Sequence, residues 1–114
     1  MIDYSYDISN YYDIDPIFGI LQDYLTLLQE AHRRGIRIIM DLVMTYTSDR
    51  HPWFIESRSS RNNPKRDWYI WHDGKNGHVP NNWMGAFGCR GWECDEATRQ
   101  FYFHSFTKEQ PDVN

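Results

Sequence analysis

The sequence has 114 residues, a formal net charge of −4, 40% hydrophobic residues and 17% aromatic residues. This composition is typical of a globular protein and excludes an intrinsically disordered chain. The acidic balance argues against a nucleic-acid or anionic-membrane partner. Because no run of eighteen apolar residues occurs and the first residues lack the profile of a secretory signal, we expect a soluble, cytoplasmic protein with no membrane partner.

The first half of the chain predicts a helix followed by a buried strand. Apolar residues recur at spacings of three and four up to Gly35, which supplies the left-handed turn that ends a helix. Residues 36–49 begin as a nearly continuous apolar run, typical of a parallel strand covered on both faces, and Asp41 stands where polar residues enter. In α/β folds ligands bind at the strand exit, so Asp41 marks a predicted substrate-facing rim.

From about Thr47 the pattern changes to that of a loop-rich α+β region. Pro52 marks the first turn of a short helix, and a polar loop follows at residues 57–65. Residues 68–71 and 98–106 predict strands, residues 73–77 have turn chemistry, and residues 110–114 are expected to be extended. We therefore predict two domains, residues 1–46 and 47–114. Since the sequence holds about one βα unit where a closed sheet needs several, we expect a piece of a larger domain.

Cys89 and Cys94 are the two cysteines of the sequence, and they flank an aromatic turn. No ligand-spaced histidine pair accompanies them, so they offer too few groups for a structural zinc site. We interpret them as incidental thiols and predict no metal site in this chain.

Several short motifs occur in a fixed order along the whole chain: Tyr6-Asp7-Ile8-Ser9-Asn10-Tyr11, Phe18-Gly19, Asp41-Leu42-Val43-Met44, Thr47-Ser48-Asp49, His51-Pro52-Trp53-Phe54, Arg66-Asp67-Trp68-Tyr69, Pro80-Asn81-Asn82-Trp83 and Gln110-Pro111-Asp112-Val113-Asn114. Together they resemble the α-amylase family of glycoside hydrolases, and within it the α-glucosidase and oligo-1,6-glucosidase branch. Trehalose synthase is a near relative in this resemblance.

The resemblance implies an α/β fold, namely a segment of a TIM barrel. The segment would contain helix two and strand three of the (β/α)8 barrel and most of the inserted domain B. The family's nucleophilic carboxylate and its acid/base carboxylate would lie downstream, so we expect no catalytic residue in this chain. Retaining glycosidases need both groups about 5 to 5.5 Å apart. The chain alone should therefore be inactive, and the missing barrel portion should be required for its stability.

The resemblance also assigns candidate binding residues. Asp3 and Tyr6 match the pair that holds the terminal glucose, the carboxylate by hydrogen bonds and the ring by stacking. Phe87 and Phe106 match aromatic residues of domain B that overhang the same pocket. Asp41 matches a residue that supports the sugar-binding rim. Two alternatives stay open: the aromatic residues could simply be core, and Asp3 could be a solvated terminal residue.

Five departures from the family pattern fall on site positions. Thr45 and Tyr46 stand where the family has Asn and a glucose-binding His, so Tyr46 is a candidate substrate contact of different reach. The Asn is a calcium ligand in many amylases, which leaves calcium open for the whole protein while this chain lacks the ligand. Ser5 replaces a Gly, which should strain a tight turn. Cys89 replaces the second Gly of Phe-Gly-Gly, and Cys94 stands where a large aromatic residue is common.

Three functional hypotheses follow. The first is a segment of an α-glucosidase-like enzyme that cleaves α-glucoside oligosaccharides when whole, with a trehalose synthase fragment as a variant of it. The second is a catalytically dead, amylase-like binding or interaction protein, which the departures at site positions would suit. The third is a truncated reading frame without a stable fold.

Overall fold

The computed structural model describes residues 5–114, which divide into two compact units. Unit 1 contains the described residues up to Ser9 together with Val43–Asn114, and unit 2 contains Asn10–Leu42. In chain order the elements are α1 (Leu21–Arg33), α2 (Pro52–Ser59), β1 (Trp71–His72), β2 (Trp92–Asp95) and β3 (Gln100–Phe103). Short 3-10 helices occupy Pro16–Phe18 and Arg66–Trp68. The predicted domain boundary at residues 46 and 47 stays a prediction.

Helix α1 is the main element of unit 2, and its two ends are capped in different ways. At the start, the Asp23 carboxylate accepts the backbone N–H of Ile20 at 2.8 Å, which is the half of a capping box that does not depend on the N-cap side chain. At the end, the Gly35 N–H donates to His32 and the Ile36 N–H donates to Ala31, with Gly35 at a φ of 72°. This is the Schellman arrangement that the glycine predicts.

The residues after Gly35 depart from the predicted strand. Residues 36–45 belong to no sheet in the described part of the chain, and Tyr46 makes only an isolated bridge to Asp112. Ile39 is 94% exposed, and Met40 and Leu42 are also exposed. A strand exists only through hydrogen bonds to a partner strand, so an apolar sequence alone cannot produce the ladder. Within the described residues the predicted strand has no partner strand and is not buried, so a paired, buried strand stays a prediction for a longer protein.

Unit 1 is built around a three-stranded antiparallel sheet with the order β1-β3-β2. Helix α2 precedes the sheet, and its first turn is capped by His51, whose Nδ1 accepts the N–H of Trp53 at 3.1 Å. The prediction of a helix with Pro52 in its first turn is therefore confirmed. Residues predicted as strand at 68–71 instead close a 3-10 helix and enter β1 only at Trp71, while β3 is shorter than the predicted 98–106.

The core of unit 1 is aromatic. Phe54, Tyr69 and Tyr102 are buried together, with ring centroids 5.0 Å apart for Phe54 and Tyr69 and 5.1 Å apart for Phe54 and Tyr102. Both pairs meet edge to face, the geometry that aromatic quadrupoles favour. Trp71 stacks on Phe54 at 5.8 Å and joins the sheet to α2. Helix and sheet are therefore held by the same cluster.

Arg66 completes this core with a buried charge. Its guanidinium carbon lies 3.6 Å from the centre of the Trp71 ring. The same group donates to the carbonyl of Ser57, the hydroxyl of Thr98 and the amide oxygen of Gln100. Burial lowers the pKa of Arg66, and these acceptors compensate much of the lost hydration.

Within residues 5–114, no helix is long and apolar enough to cross a membrane.

Candidate functional site

Tyr46 lies on a backbone segment that is fastened to the end of the chain. The Val113 N–H donates to Thr45 at 2.9 Å, the Thr47 N–H donates to Pro111 at 3.3 Å, and Tyr46 bridges Asp112 in antiparallel fashion. Through this pairing the residues around Tyr46 pack within unit 1, and only 6% of the surface of Tyr46 is exposed to solvent.

Three predicted binding residues form one aromatic cluster. The ring centroids of Tyr46 and Phe106 are 5.2 Å apart, and those of Phe106 and Phe87 are 6.2 Å apart. Exposure rises along the cluster, since Tyr46 is buried, Phe106 is half-buried and Phe87 is 65% exposed. The cluster therefore has a packed base and an open face at Phe87. An open aromatic face of this kind can stack on the apolar face of a sugar ring.

Asp112 anchors the segment that carries Phe106. Its two carboxylate oxygens accept from the backbone N–H of Ser105 at 2.8 Å and from the Ser105 hydroxyl at 2.5 Å. Burial raises the pKa of Asp112, and the two bonds from Ser105 act against that rise. Both carboxylate oxygens of Asp112 already accept hydrogen bonds within the fold. The role of Asp112 is therefore to hold the segment that carries Phe106 in place.

Phe87 sits at the tip of a loop that runs from Trp83 to Gly91. The Gly91 N–H donates to Trp83 at 2.9 Å and the Gly85 N–H donates to Cys89 at 2.7 Å, so the loop closes on itself. The Ala86 N–H donates to Ser105 at 2.6 Å and joins the tip to the Phe106 segment. The contact between Phe87 and Phe106 is thus supported by the backbone.

The remaining predicted site residues are not joined to this cluster. Tyr6 belongs to unit 1 and is 43% exposed, and Asp41 is an exposed residue of unit 2. Asp3 lies outside the described residues. Ser5 has a φ of 74°, a conformation that favours glycine, which agrees with the strain predicted for a serine at this position. The binding roles of all these residues stay predictions.

A cleft of about 280 Å³ opens beside Phe87. Its polar lining includes His104, whose Nε2 is buried without a hydrogen-bond partner, and Thr107, whose hydroxyl is also unpartnered. The charged residues Arg90, Glu93, Lys108 and Glu109 line the same cleft. Within residues 5–114 no group of three or more His, Cys, Asp or Glu side chains is arranged to hold a metal ion.

Sequence reasoning missed Asp112 and His104 as organisers of the site. Both are buried polar residues close to Phe106 in the chain, and Asp112 was noticed only as part of a motif. The signal for His104 was a polar residue inside an otherwise aromatic stretch, whereas Asp112 lies among polar residues and gave no such signal. That signal identifies an internal hydrogen bond only when the partner is known, and the partner depends on the fold.

The whole chain, residues 1–114, matches the family model of the α-amylase catalytic domain. It is 56% identical over 115 residues to a probable α-glucosidase of Rhizobium meliloti (strain 1021), which covers 100% of this chain and 21% of that protein. It is also 56% identical over 112 residues to an oligo-1,6-glucosidase of Parageobacillus thermoglucosidasius, covering 98% of this chain and 20% of that protein. The chain thus spans about a fifth of the length of these relatives.

Solved structures resemble the chain closely. A trehalulose synthase matches with a TM-score of 0.96 and 45% identity, over 99% of this chain and 20% of the synthase. An isomaltulose synthase from Erwinia rhapontici NX5, solved in complex with its natural substrate sucrose, matches with a TM-score of 0.93 and 46% identity, over 96% of this chain and 20% of the synthase.

Proposed function

We propose, from the premise that this chain belongs to the α-amylase family, that it is a segment of an enzyme that cleaves α-glucosidic bonds in short oligosaccharides. The observation that carries the proposal is the aromatic cluster of Tyr46, Phe106 and Phe87, with its open face at Phe87. The identity of 56% to an oligo-1,6-glucosidase over nearly the entire chain supports the same substrate class.

The segment belongs to a TIM-barrel family. Within it, we assign α1 to barrel helix two, residues 36–45 to strand three and residues 47–114 to domain B. The exposure of Ile39, Met40 and Leu42 supports this assignment, because a barrel strand acquires its hydrogen-bond partners from neighbouring strands. In this assignment the partner strands come from parts of the enzyme outside the chain.

In this proposal the segment binds the sugar, and carboxylates elsewhere in the whole enzyme cleave the glycosidic bond. A retaining mechanism needs one carboxylate as nucleophile and another as proton donor, on opposite sides of the glycosidic bond. In unit 1 Asp112, a carboxylate close to the aromatic cluster, is engaged by Ser105. The role of the cluster would be to hold the sugar so that the bond faces the distant pair.

The test compares the full-length enzyme with the 114-residue chain on isomaltose, maltose and p-nitrophenyl α-glucoside. We expect turnover by the full-length enzyme and none by the chain. Turnover by the repurified chain would contradict the absence of catalytic residues. A full-length enzyme that binds isomaltose without turnover would instead support the alternative of a catalytically dead binding protein.

A second candidate activity is transfer of the glucosyl group to a sugar in place of water. The similarity to a trehalulose synthase and to an isomaltulose synthase solved with sucrose favours it. In both activities the bond to glucose breaks in the same way, and the acceptor decides the product. Chromatography of the products formed from sucrose separates them: hydrolysis gives glucose and fructose, and transfer gives an isomeric disaccharide.

A further inference from the structure

We propose that Cys89 is a positioning residue. Its thiol holds Phe87 at a fixed distance from Phe106 and so determines the spacing of the two rings at the proposed sugar-binding face. The inference rests on the proposed function for its effect on substrate, while its structural part can be tested without any activity.

The thiol contacts the backbone beside Phe106 directly. Cys89 Sγ donates to the carbonyl oxygen of Phe106 at 3.3 Å. Gly85 leaves room for this contact, since a Cβ added there would lie 2.7 Å from Cys89 Sγ and 2.8 Å from the Phe106 oxygen. The loop and the Phe106 segment therefore meet at a point where only glycine lets the thiol reach its acceptor.

Hydrogen bonds made by residues before and after Phe87 in the sequence hold it in place. Before it, the Ala86 N–H donates to Ser105. After it, beyond Gly88 with a φ of 78°, comes the Cys89 bond to Phe106. Removing the thiol takes away the bond between the residues after Phe87 and the Phe106 segment. Those residues, with the flexible Gly88 among them, are then held by bonds inside the loop, such as the one from the Gly85 N–H to the Cys89 carbonyl. The ring of Phe87 would then lose its fixed distance from Phe106.

A second observation ties the thiol to the cleft. The Phe106 carbonyl that accepts from Cys89 lies 3.1 Å from His104 Nδ1, and His104 is 1% exposed with its Nε2 unpartnered. Cys89, His104 and Phe87 all line the cleft of about 280 Å³. With Nδ1 as the donor, His104 and Cys89 converge on one oxygen at the cleft wall. The half-buried thiol is thus part of the wall and reachable from the cleft.

The kinetic test uses the full-length enzyme with isomaltose. We expect Cys89→Ala to raise KM about threefold to tenfold with kcat changed by less than about twofold, the size of effect that loss of one hydrogen bond produces. Cys89→Ser keeps an O–H donor and should stay within about twofold of the parent. Cys94→Ala is the matched control, since Cys94 is the exposed thiol on β2. An unchanged KM for Cys89→Ala would overturn the inference.

Hydrogen exchange provides the structural readout. The Ala86 amide, bonded to Ser105, should exchange faster in Cys89→Ala than in the parent and Cys89→Ser, because the loop opens more often. Equal exchange in all three would count against a positioning role. If the parent cleaves no α-glucoside, the proposed function fails, and the exchange data still decide the role of the thiol.

Alkylation of the parent enzyme covers the case in which Cys89→Ala does not fold. Iodoacetamide forms an S–C bond as iodide leaves, and the thiol proton goes to the buffer. Mass spectrometry should show that saturating isomaltose slows modification of Cys89 and leaves modification of Cys94 unchanged. Modification of Cys89 should raise KM. Equal modification of Cys89 with and without isomaltose would contradict the inference.

Discussion

Tyr46 shows how a single position can differ in role from the family pattern. A histidine there would offer ring nitrogens to a glucose, whereas Tyr46 is 6% exposed and packs its ring on Phe106. A tyrosine at this position is compatible with a degraded site and with a site reshaped around the new ring. Burial against Phe106 favours the reshaped site, because the ring now supports a neighbouring aromatic residue.

We therefore expect the ring of Tyr46 to matter more than its hydroxyl. In the full-length enzyme, Tyr46→Phe should change kcat/KM by less than about threefold, while Tyr46→Ala should lower it on the order of tenfold to a hundredfold. The alanine leaves a cavity beneath Phe106, and misplacement of a substrate-positioning group by about 1 Å can cost that much. Steady-state kinetics on isomaltose measure both. Equal losses in the two variants would show that the hydroxyl contacts the substrate.

His51 supplies a second prediction at this scale, since its Nδ1 must be unprotonated to cap α2. Burial lowers the pKa of His51, so between the folded pKa and the unfolded value of about 6.5 the unfolded chain binds more protons. Stability should be full above pH about 6.5 and fall as the pH drops below it. Denaturant titrations at pH 7.5 and 5.5, followed by the fluorescence of unit 1 tryptophans, measure the fall.

His51→Asn is the matched variant for this effect. The asparagine oxygen can accept the Trp53 N–H at any pH in this range, so the variant should lose less stability at low pH. His51→Ala, which has no acceptor, should cost about 0.5–2 kcal/mol at pH 7.5. If His51→Asn loses as much stability as the parent between the two pH values, other histidines cause the dependence.

The family resemblance singled out six candidate residues, and the structure places three of them, Tyr46, Phe87 and Phe106, in one aromatic cluster. The contacts that hold the cluster together were not predictable. Nothing in the sequence indicated that Asp112 would bind Ser105 or that Cys89 would reach Phe106. These bonds join segments that approach only after the sheet and loops have formed, so no local pattern records them.

At the scale of elements, glycine and proline in the sequence predicted the helix ends, which depend on interactions between neighbours in the chain. Helix α1 ends at its glycine and α2 begins at its proline, because capping and backbone conformation involve neighbours in the chain. The run at residues 36–45 is unpaired in the described residues, because strand formation depends on partners that are distant in the sequence. Residues 66–68 form a 3-10 helix where Arg66 turns to reach Trp71, and this tertiary contact overrides aromatic strand propensity.

The turn between β1 and the following loop offers a matched pair of glycines. Gly74 and Gly77 have similar φ values, 82° and 78°, so alanine is strained at both. A Cβ on Gly74 would lie 2.3 Å from the carbonyl oxygen of His78, and a Cβ on Gly77 would meet nothing within 4 Å. Only Gly74→Ala therefore adds a clash with the backbone to the conformational cost.

We expect Gly77→Ala to destabilise unit 1 by about 1 kcal/mol and Gly74→Ala by about 2–4 kcal/mol, the difference being the cost of overpacking. Denaturant unfolding of both variants at one pH provides the comparison. Equal destabilisation would mean that the loop relaxes away from His78 without cost.

At the scale of the molecule, the two units differ in what they bury. Unit 1 has an aromatic core with a charged residue, Arg66, hydrogen-bonded inside it through its two terminal nitrogens. Unit 2 presents Ile36, Ile39, Met40 and Leu42 as exposed apolar side chains in the same short stretch. In the proposed whole enzyme, which would be about five times as long as this chain, the exposed stretch would be buried against further barrel elements.

The isolated 114-residue chain should therefore bind a hydrophobic dye and self-associate through residues 36–42, because exposed apolar patches drive association. Ile39→Glu and Met40→Glu should each reduce dye fluorescence and the sedimentation coefficient, whereas Arg37→Glu, at an already polar position of the same stretch, should not. Hydrogen exchange should leave the amides of β3 protected and those of residues 36–42 open. A monomeric chain that binds no dye and protects both regions equally would contradict this picture, since residues 36–42 would then be buried within the chain itself.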